Sequence, residues 1–106
     1  MISLDDFQAH NGLRFKNSEL LREALTHSSY RNEHPDAGTD NERLEFLGDA
    51  ILAFLSAEML FHRYPTMREG EMTRLRAALV RADTLAVLAQ ACRIGEMLRM
   101  ARGEET

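Results

Sequence analysis

A chain of 106 residues, 44% of them hydrophobic, has material for one buried core and not for two. Its net charge of −4 excludes retention of a polyanion by bulk charge, because phosphate neutralisation requires a surplus of Lys and Arg on the contacting face. The lone Cys92 excludes an internal disulfide and is expected in the core; no apolar run approaches a bilayer span and residues 1–10 lack a leader's layout, so a soluble cytoplasmic protein with no membrane partner is expected.

Leu, Ala, Glu and Arg are abundant and β-branched residues too sparse to fill a sheet, which predicts an all-α fold. Ser3 followed by Asp6 resembles a capping box and predicts a helix over residues 4–10 that stops at Asn11-Gly12. After a turn carrying Leu13 and Phe15, Asn17 or Ser18 caps a second helix, in which Leu20, Leu21, Ala24 and Leu25 recur at helical spacing to about residue 27. Residues 28–40, with Asn32, Pro35, Gly38 and several charges, are expected as an exposed loop. Thr39 with Glu42 fits another capping box and opens the longest element, which runs to about residue 63 before Tyr64-Pro65 ends it. Thr66 with Glu69 repeats the pattern ahead of a helix over residues 67–80, and another is expected over residues 83–92. Residues 94–100 are expected to make a last short turn of helix before the charged end at 102–106. No repeat or domain boundary interrupts the chain.

On a helical wheel with Glu42 at zero, Glu45 falls near about 300° and Asp49 near about 340°, so three carboxylates share a narrow face. Leu44, Leu47, Ile51, Leu52, Phe54, Leu55 and Met59 fill the opposite arc and are expected to face the core, with Glu58 intruding there without a pattern-based reason. Like charges at these spacings repel, so the stripe is either a solvated acidic face offset by Arg43 and its neighbours or a seat for a cation. A hard divalent ion such as Mg²⁺ takes one or two protein carboxylates and keeps water and phosphate oxygens, which Glu45 and Asp49 one turn apart can satisfy. Glu42 and Glu69 also have capping roles of their own. Phe46 lies beside the acids and away from the apolar arc; it either meets a second copy across a two-fold axis or packs beneath the loop over residues 28–40.

The run Asn41-Glu42-Arg43-Leu44-Glu45-Phe46-Leu47-Gly48-Asp49-Ala50-Ile51-Leu52 resembles the signature motif of the ribonuclease III family. Leu25-Thr26-His27-Ser28-Ser29-Tyr30 upstream is similar to that family's RNA-facing turn, and Tyr64-Pro65, Arg68-Glu69-Gly70-Glu71-Met72 and Arg74-Leu75-Arg76-Ala77-Ala78-Leu79-Val80 follow in matching order. Gly103-Glu104-Glu105 resembles the stretch before the family's last catalytic helix. The resemblance covers nearly the whole chain. It implies an all-α endonuclease domain that cleaves double-stranded RNA with Mg²⁺, or Mn²⁺ in its place, leaving 5′-phosphate and 3′-hydroxyl ends. Glu45 and Asp49 would help to hold the metal, and Glu42 and Glu69 would be further acids of the catalytic valley. Phe46 would enter a socket on the mate in a homodimer, and His27, Ser28, Arg74 and Arg76 would contact the RNA backbone.

The family's remaining metal-binding Asp and Glu, on a helix beginning Leu-Ala-Asp, have no counterpart here, nor has its double-stranded-RNA-binding domain. Residues 1–106 are therefore expected to be a partial catalytic domain truncated at its C-terminal end, inactive alone, with core surface left uncovered. The alternative is a catalytically incomplete dimerising or RNA-binding module.

Overall fold

The computed structural model describes residues 2–99, and residues 100–106, including the Gly103-Glu104-Glu105 stretch, lie outside the described part. The all-α expectation holds: among the described residues six α-helices and two short 3₁₀ turns follow one another, and pairing of the sheet type is confined to a single parallel bridge, Thr26 with Arg99.

Helix α1 (Leu4–Asn11) starts and stops where its signals stand. The Ser3 hydroxyl accepts the Asp6 amide at 3.0 Å, and Gly12 ends the helix with a left-handed φ of 65°, which a residue without Cβ adopts at no steric cost. Helix α2 (Ser18–Ala24) is capped by Asn17, whose side chain accepts the Glu19 amide, but it ends before the expected residue 27 because Leu25–His27 turn into the bridge with Arg99. The loop expected over residues 28–40 contains helix α3 (Ser28–Glu33) and a 3₁₀ turn, Pro35–Ala37, opened by proline. A histidine side chain does the capping for α3, a role that sequence rules reserve for Ser, Thr, Asp and Asn.

Helix α4 (Glu42–Arg63) is the long central element, yet the Thr39 capping box does not form. Asn41 is the cap residue, and the Glu42 amide is satisfied by Asp40 Oδ1 at 3.1 Å. Helix α5 (Glu69–Leu79) likewise begins two residues later than expected, since Tyr64 to Met67 close a turn and Thr66 caps nothing. Helix α6 (Ala82–Ala91) matches its expectation within a residue. Its cap Cys92 is followed by Arg93, which takes the left-handed φ of 61° that glycine usually supplies and is held by a two-pronged ion pair to Glu96.

Phe7, Leu21 and Leu25 form the buried core, with Ile2, Leu4, Ile94 and Met97 packed around them, so the segment after α6 returns onto α1 and α2. Asn11 Nδ2 donates to the Cys92 carbonyl at 2.9 Å and His10 Nε2 lies 2.8 Å from the Ala91 carbonyl, which satisfies the end of α6. Cys92 itself is half-buried rather than a core residue.

Helix α5 runs antiparallel to α4 and covers the side that carries Ser56 and Leu60, the latter only 2% exposed. That side continues the acidic stripe toward the C-terminal half of α4. The arc expected to face the core is consequently open: Leu47, Ile51, Phe54, Leu55 and Met59 are exposed, and Leu44 and Leu52 only half-buried. The molecule is accordingly elongated, 51 × 27 × 22 Å, with a radius of gyration of 16.2 Å against about 13 Å for a compact chain of this length. No helix among the described residues is long and apolar enough to cross a membrane.

Candidate functional site

The start of α4 is fixed by Asn41. Its amide N–H donates to the Thr26 carbonyl at 2.8 Å and its Nδ2 to the Ala24 carbonyl at 2.9 Å, so the first turn of α4 is fastened to the end of α2. Glu42 and Glu45 in the first turn and Asp49 one turn further then project on one side, and the first two sit where the positive end of the helix dipole favours negative charge. All three are exposed, and they line one groove of about 440 Å³ with His27, Ser28, Asn41 and Phe46.

The opposite wall comes from the cap of α3. The Ser29 N–H donates to His27 Nδ1 at 3.1 Å, so that nitrogen carries a lone pair and the neutral ring holds its proton on Nε2. His27 Nδ1 also lies 2.6 Å from Ser29 Oγ, which restrains the ring. The groove thus has carboxylate acceptors on one wall and an imidazole N–H and the Ser28 hydroxyl on the other.

Among the described residues the ion pairs are Arg22–Glu19, Arg31–Asp40, Arg81–Asp83 and Arg93–Glu96, and none reaches Glu42, Glu45 or Asp49. Arg43 therefore does not neutralise the stripe, which leaves room for an added cation. No group of three His, Cys, Asp or Glu among the described residues converges closely enough to hold a metal ion. A pair of carboxylates one turn apart still fits Mg²⁺, which takes hard oxygen donors and draws the rest of its octahedron from water and substrate.

Arg76 lines a second groove with Asp49, Leu52, Ala53, Val80 and Leu85, so it borders the acids. Arg74 stands about 200° from it around α5 and cannot share that face. Glu69 is not brought to the acidic groove. It lines a separate groove beside Ala57, Leu60, Phe61, Thr73 and Arg76, whose α4 residues lie about 12–18 Å beyond Asp49 at 1.5 Å per residue. Phe46 is 82% exposed, which removes the reading in which it packs beneath the segment over residues 28–40. One relation that builds the site carried no sequence signal: Thr26 and Arg99 meet across 73 positions, which no periodicity reveals.

A family model described as ribonuclease-III-like matches residues 17–106. The chain is 49% identical to Ribonuclease 3 of Roseiflexus sp. (strain RS-1), over 98% of this chain and 45% of that protein. It is 52% identical to Ribonuclease 3 of Pseudomonas fluorescens (strain Pf-5), over 97% of this chain and 42% of that one. The chain thus spans less than half the length of the curated relatives it matches. Among solved structures, the nuclease domain of ribonuclease III from Campylobacter jejuni superposes with a TM-score of 0.85 at 37% identity, covering 97% of this chain and 68% of that one; that structure concerns flexibility in a region involved in dimer formation.

Proposed function

The chain belongs to the ribonuclease-III-like family, and from that premise we propose that the protein is an endoribonuclease that hydrolyses phosphodiester bonds of double-stranded RNA with Mg²⁺, or Mn²⁺ in its place, leaving 5′-phosphate and 3′-hydroxyl ends. The observation that carries the reading is the groove in which Glu42, Glu45 and Asp49, free of ion pairs among the described residues, face His27 and Ser28. Glu45 and Asp49 hold the cation. When bound, the ion supplies an activated water and offsets charge on the leaving oxygen. Glu42 extends the field of the two ligands along the same wall. His27 Nε2–H and the Ser28 hydroxyl donate to phosphate or 2′-hydroxyl oxygens, and the Arg76 guanidinium beside Asp49 neutralises a neighbouring phosphate. Such local contacts reconcile RNA recognition with a net charge of −4, since duplex RNA is read through shape and a few backbone groups.

A homodimer belongs to the same proposal. Phe46, beside the acids and almost fully exposed, is the aromatic anchor that a two-fold interface buries. The site of action is the cytoplasm, where RNA precursors are processed.

The test is incubation of the natively expressed protein with a long RNA duplex and Mg²⁺, wild type against the paired variant Glu45→Gln and Asp49→Asn. Short duplex products from the wild type alone are expected, and undiminished cutting by the paired variant would defeat the proposal. Binding of duplex without cutting, by wild type and variant alike, would instead favour a catalytically incomplete module, the reading that the lack of a three-ligand cluster among the described residues supports.

A further inference from the structure

The two walls of the acidic groove are a six-residue helix and the exposed first turn of a long one, and neither Ser28 nor any of Glu42, Glu45 and Asp49 is buried. A polar joint lies between them. At its centre is Thr26, fully buried at 0% exposure, whose Oγ1 donates to the Arg22 carbonyl at 2.6 Å. Arg99 closes on Thr26 and its neighbours in three ways. Its amide donates to the Leu25 carbonyl and its carbonyl accepts the His27 amide, both at 2.7 Å. Its Nη2 and Nε donate to Thr26 Oγ1 at 2.7 and 3.0 Å. Its guanidinium lies over the Tyr30 ring, 4.9 Å from the centroid, and Tyr30 is itself stacked on His34 at 4.1 Å.

From Thr26 the bonds continue to the other wall. The Thr26 carbonyl accepts the Asn41 amide, and the Asn41 carbonyl accepts the Glu45 amide, each at 2.8 Å. Arg99 is thus joined on one side to His27 and Tyr30 of the α3 wall, and on the other, through Thr26 and Asn41, to the turn that carries Glu42 and Glu45. The chemistry asks for arginine. A planar fork gives two N–H bonds to one hydroxyl oxygen while its face rests on an aromatic ring, and an ammonium point charge cannot do both.

We propose that Arg99 is a positioning residue for the acidic groove: its guanidinium, spanning Thr26 and Tyr30, sets the distance from the His27–Ser28 turn to Glu45 and Asp49. The inference rests on the reading of that groove as a seat for a divalent cation beside an RNA backbone. Arg99 touches neither cation nor RNA in this role; it acts through Thr26.

The test is an amide-resolved magnetic resonance titration of the natively expressed protein with Mn²⁺, whose paramagnetic broadening falls as the sixth power of distance. In the wild type, His27 and Ser28 amides broaden together with those of Glu45 and Asp49. In Arg99→Lys the α4 amides broaden as before, while His27 and Ser28 lose roughly half of their broadening or more, as a drift of about 1 Å beyond the tolerance of a positioned site requires. Thr26→Val reproduces that pattern with Arg99 intact, and Thr26→Ser, which keeps the oxygen, restores the wild-type pattern. This pair decides the matter if Arg99→Lys fails to fold. Broadening of all four amides in Arg99→Lys and Thr26→Val as in the wild type overturns the proposal. If Mn²⁺ broadens no groove amide even in the wild type, the cation reading falls, and exchange of the Asn41 and Glu45 amides decides the joint: faster exchange in Arg99→Lys upholds it and equal exchange overturns it.

Discussion

Two phenylalanines in this chain lie in opposite surroundings, and replacing each by alanine measures the difference. Phe7, on a short amphipathic helix, is 4% exposed at the centre of the core, whereas Phe54, in the apolar arc of α4, is 64% exposed. An aromatic side chain buries about 150–250 Å². At about 25 cal/mol per Å², reduced by roughly a third for a compact unfolded chain, Phe7→Ala loses about 3 kcal/mol, at the lower edge of what such core truncations cost. Phe54 has only about a third of its area out of water, so its truncation loses about 1 kcal/mol. Alanine returns about 0.5 kcal/mol in either helix through its better helix propensity, which halves the Phe54 loss and leaves most of the Phe7 loss. Urea unfolding followed by far-ultraviolet circular dichroism, at two protein concentrations so that self-association through the open face is detected, gives both losses directly. Equal losses for the two variants at the lower concentration would refute the assignment of the core to the α1–α2 end.

Three further outcomes follow from the geometry. The Arg93 guanidinium beside Glu96 holds that carboxyl below its ordinary range, so the pair stabilises the fold above the unfolded glutamate value of about 4.3 and loses that contribution as pH falls through the lower folded value. Wild type is therefore more stable than Glu96→Gln at neutral pH, and the two urea midpoints converge in acid; a gap independent of pH would contradict this. Phe46→Ala sediments as a monomer at micromolar concentration if the exposed aromatic anchors a dimer, and an unchanged dimer removes that claim. In duplex cleavage, Glu45→Gln loses roughly a hundredfold or more, the several kcal/mol that a metal ligand supplies, while Glu69→Gln, in its separate groove, loses less than about tenfold. Equal losses would show that Glu69 reaches the reacting phosphate after all.

Local chemistry was legible where a residue of the usual capping type closes its own helix: Ser3, Asn17 and Gly12 do what their types suggest. It misled where a distant partner claimed the residue. Asn41 spends its amide on Ala24, so α4 starts beyond the Thr39 box, and Thr66 is absorbed in the turn after Tyr64. Helix α3 was invisible because six residues show no period and its cap is an imidazole. The wheel grouped Glu42, Glu45 and Asp49 on one face, as found, since that depends only on helical geometry. It misassigned the arc carrying Leu47, Ile51 and Phe54, because an apolar stripe says that a helix face wants cover without saying where the cover comes from. Arg76 beside Asp49, and Glu69 away from it, depend on how α5 crosses α4, which no local pattern encodes.

The claim beneath the rest is that Glu45 and Asp49 grip a divalent cation next to bound RNA. Calorimetric titration of the natively expressed protein with Mg²⁺, with a short RNA duplex present, tests it most directly. Saturable heat that disappears in the paired variant Glu45→Gln and Asp49→Asn is the predicted result, and the same heat in both proteins, or none in either, would contradict the account.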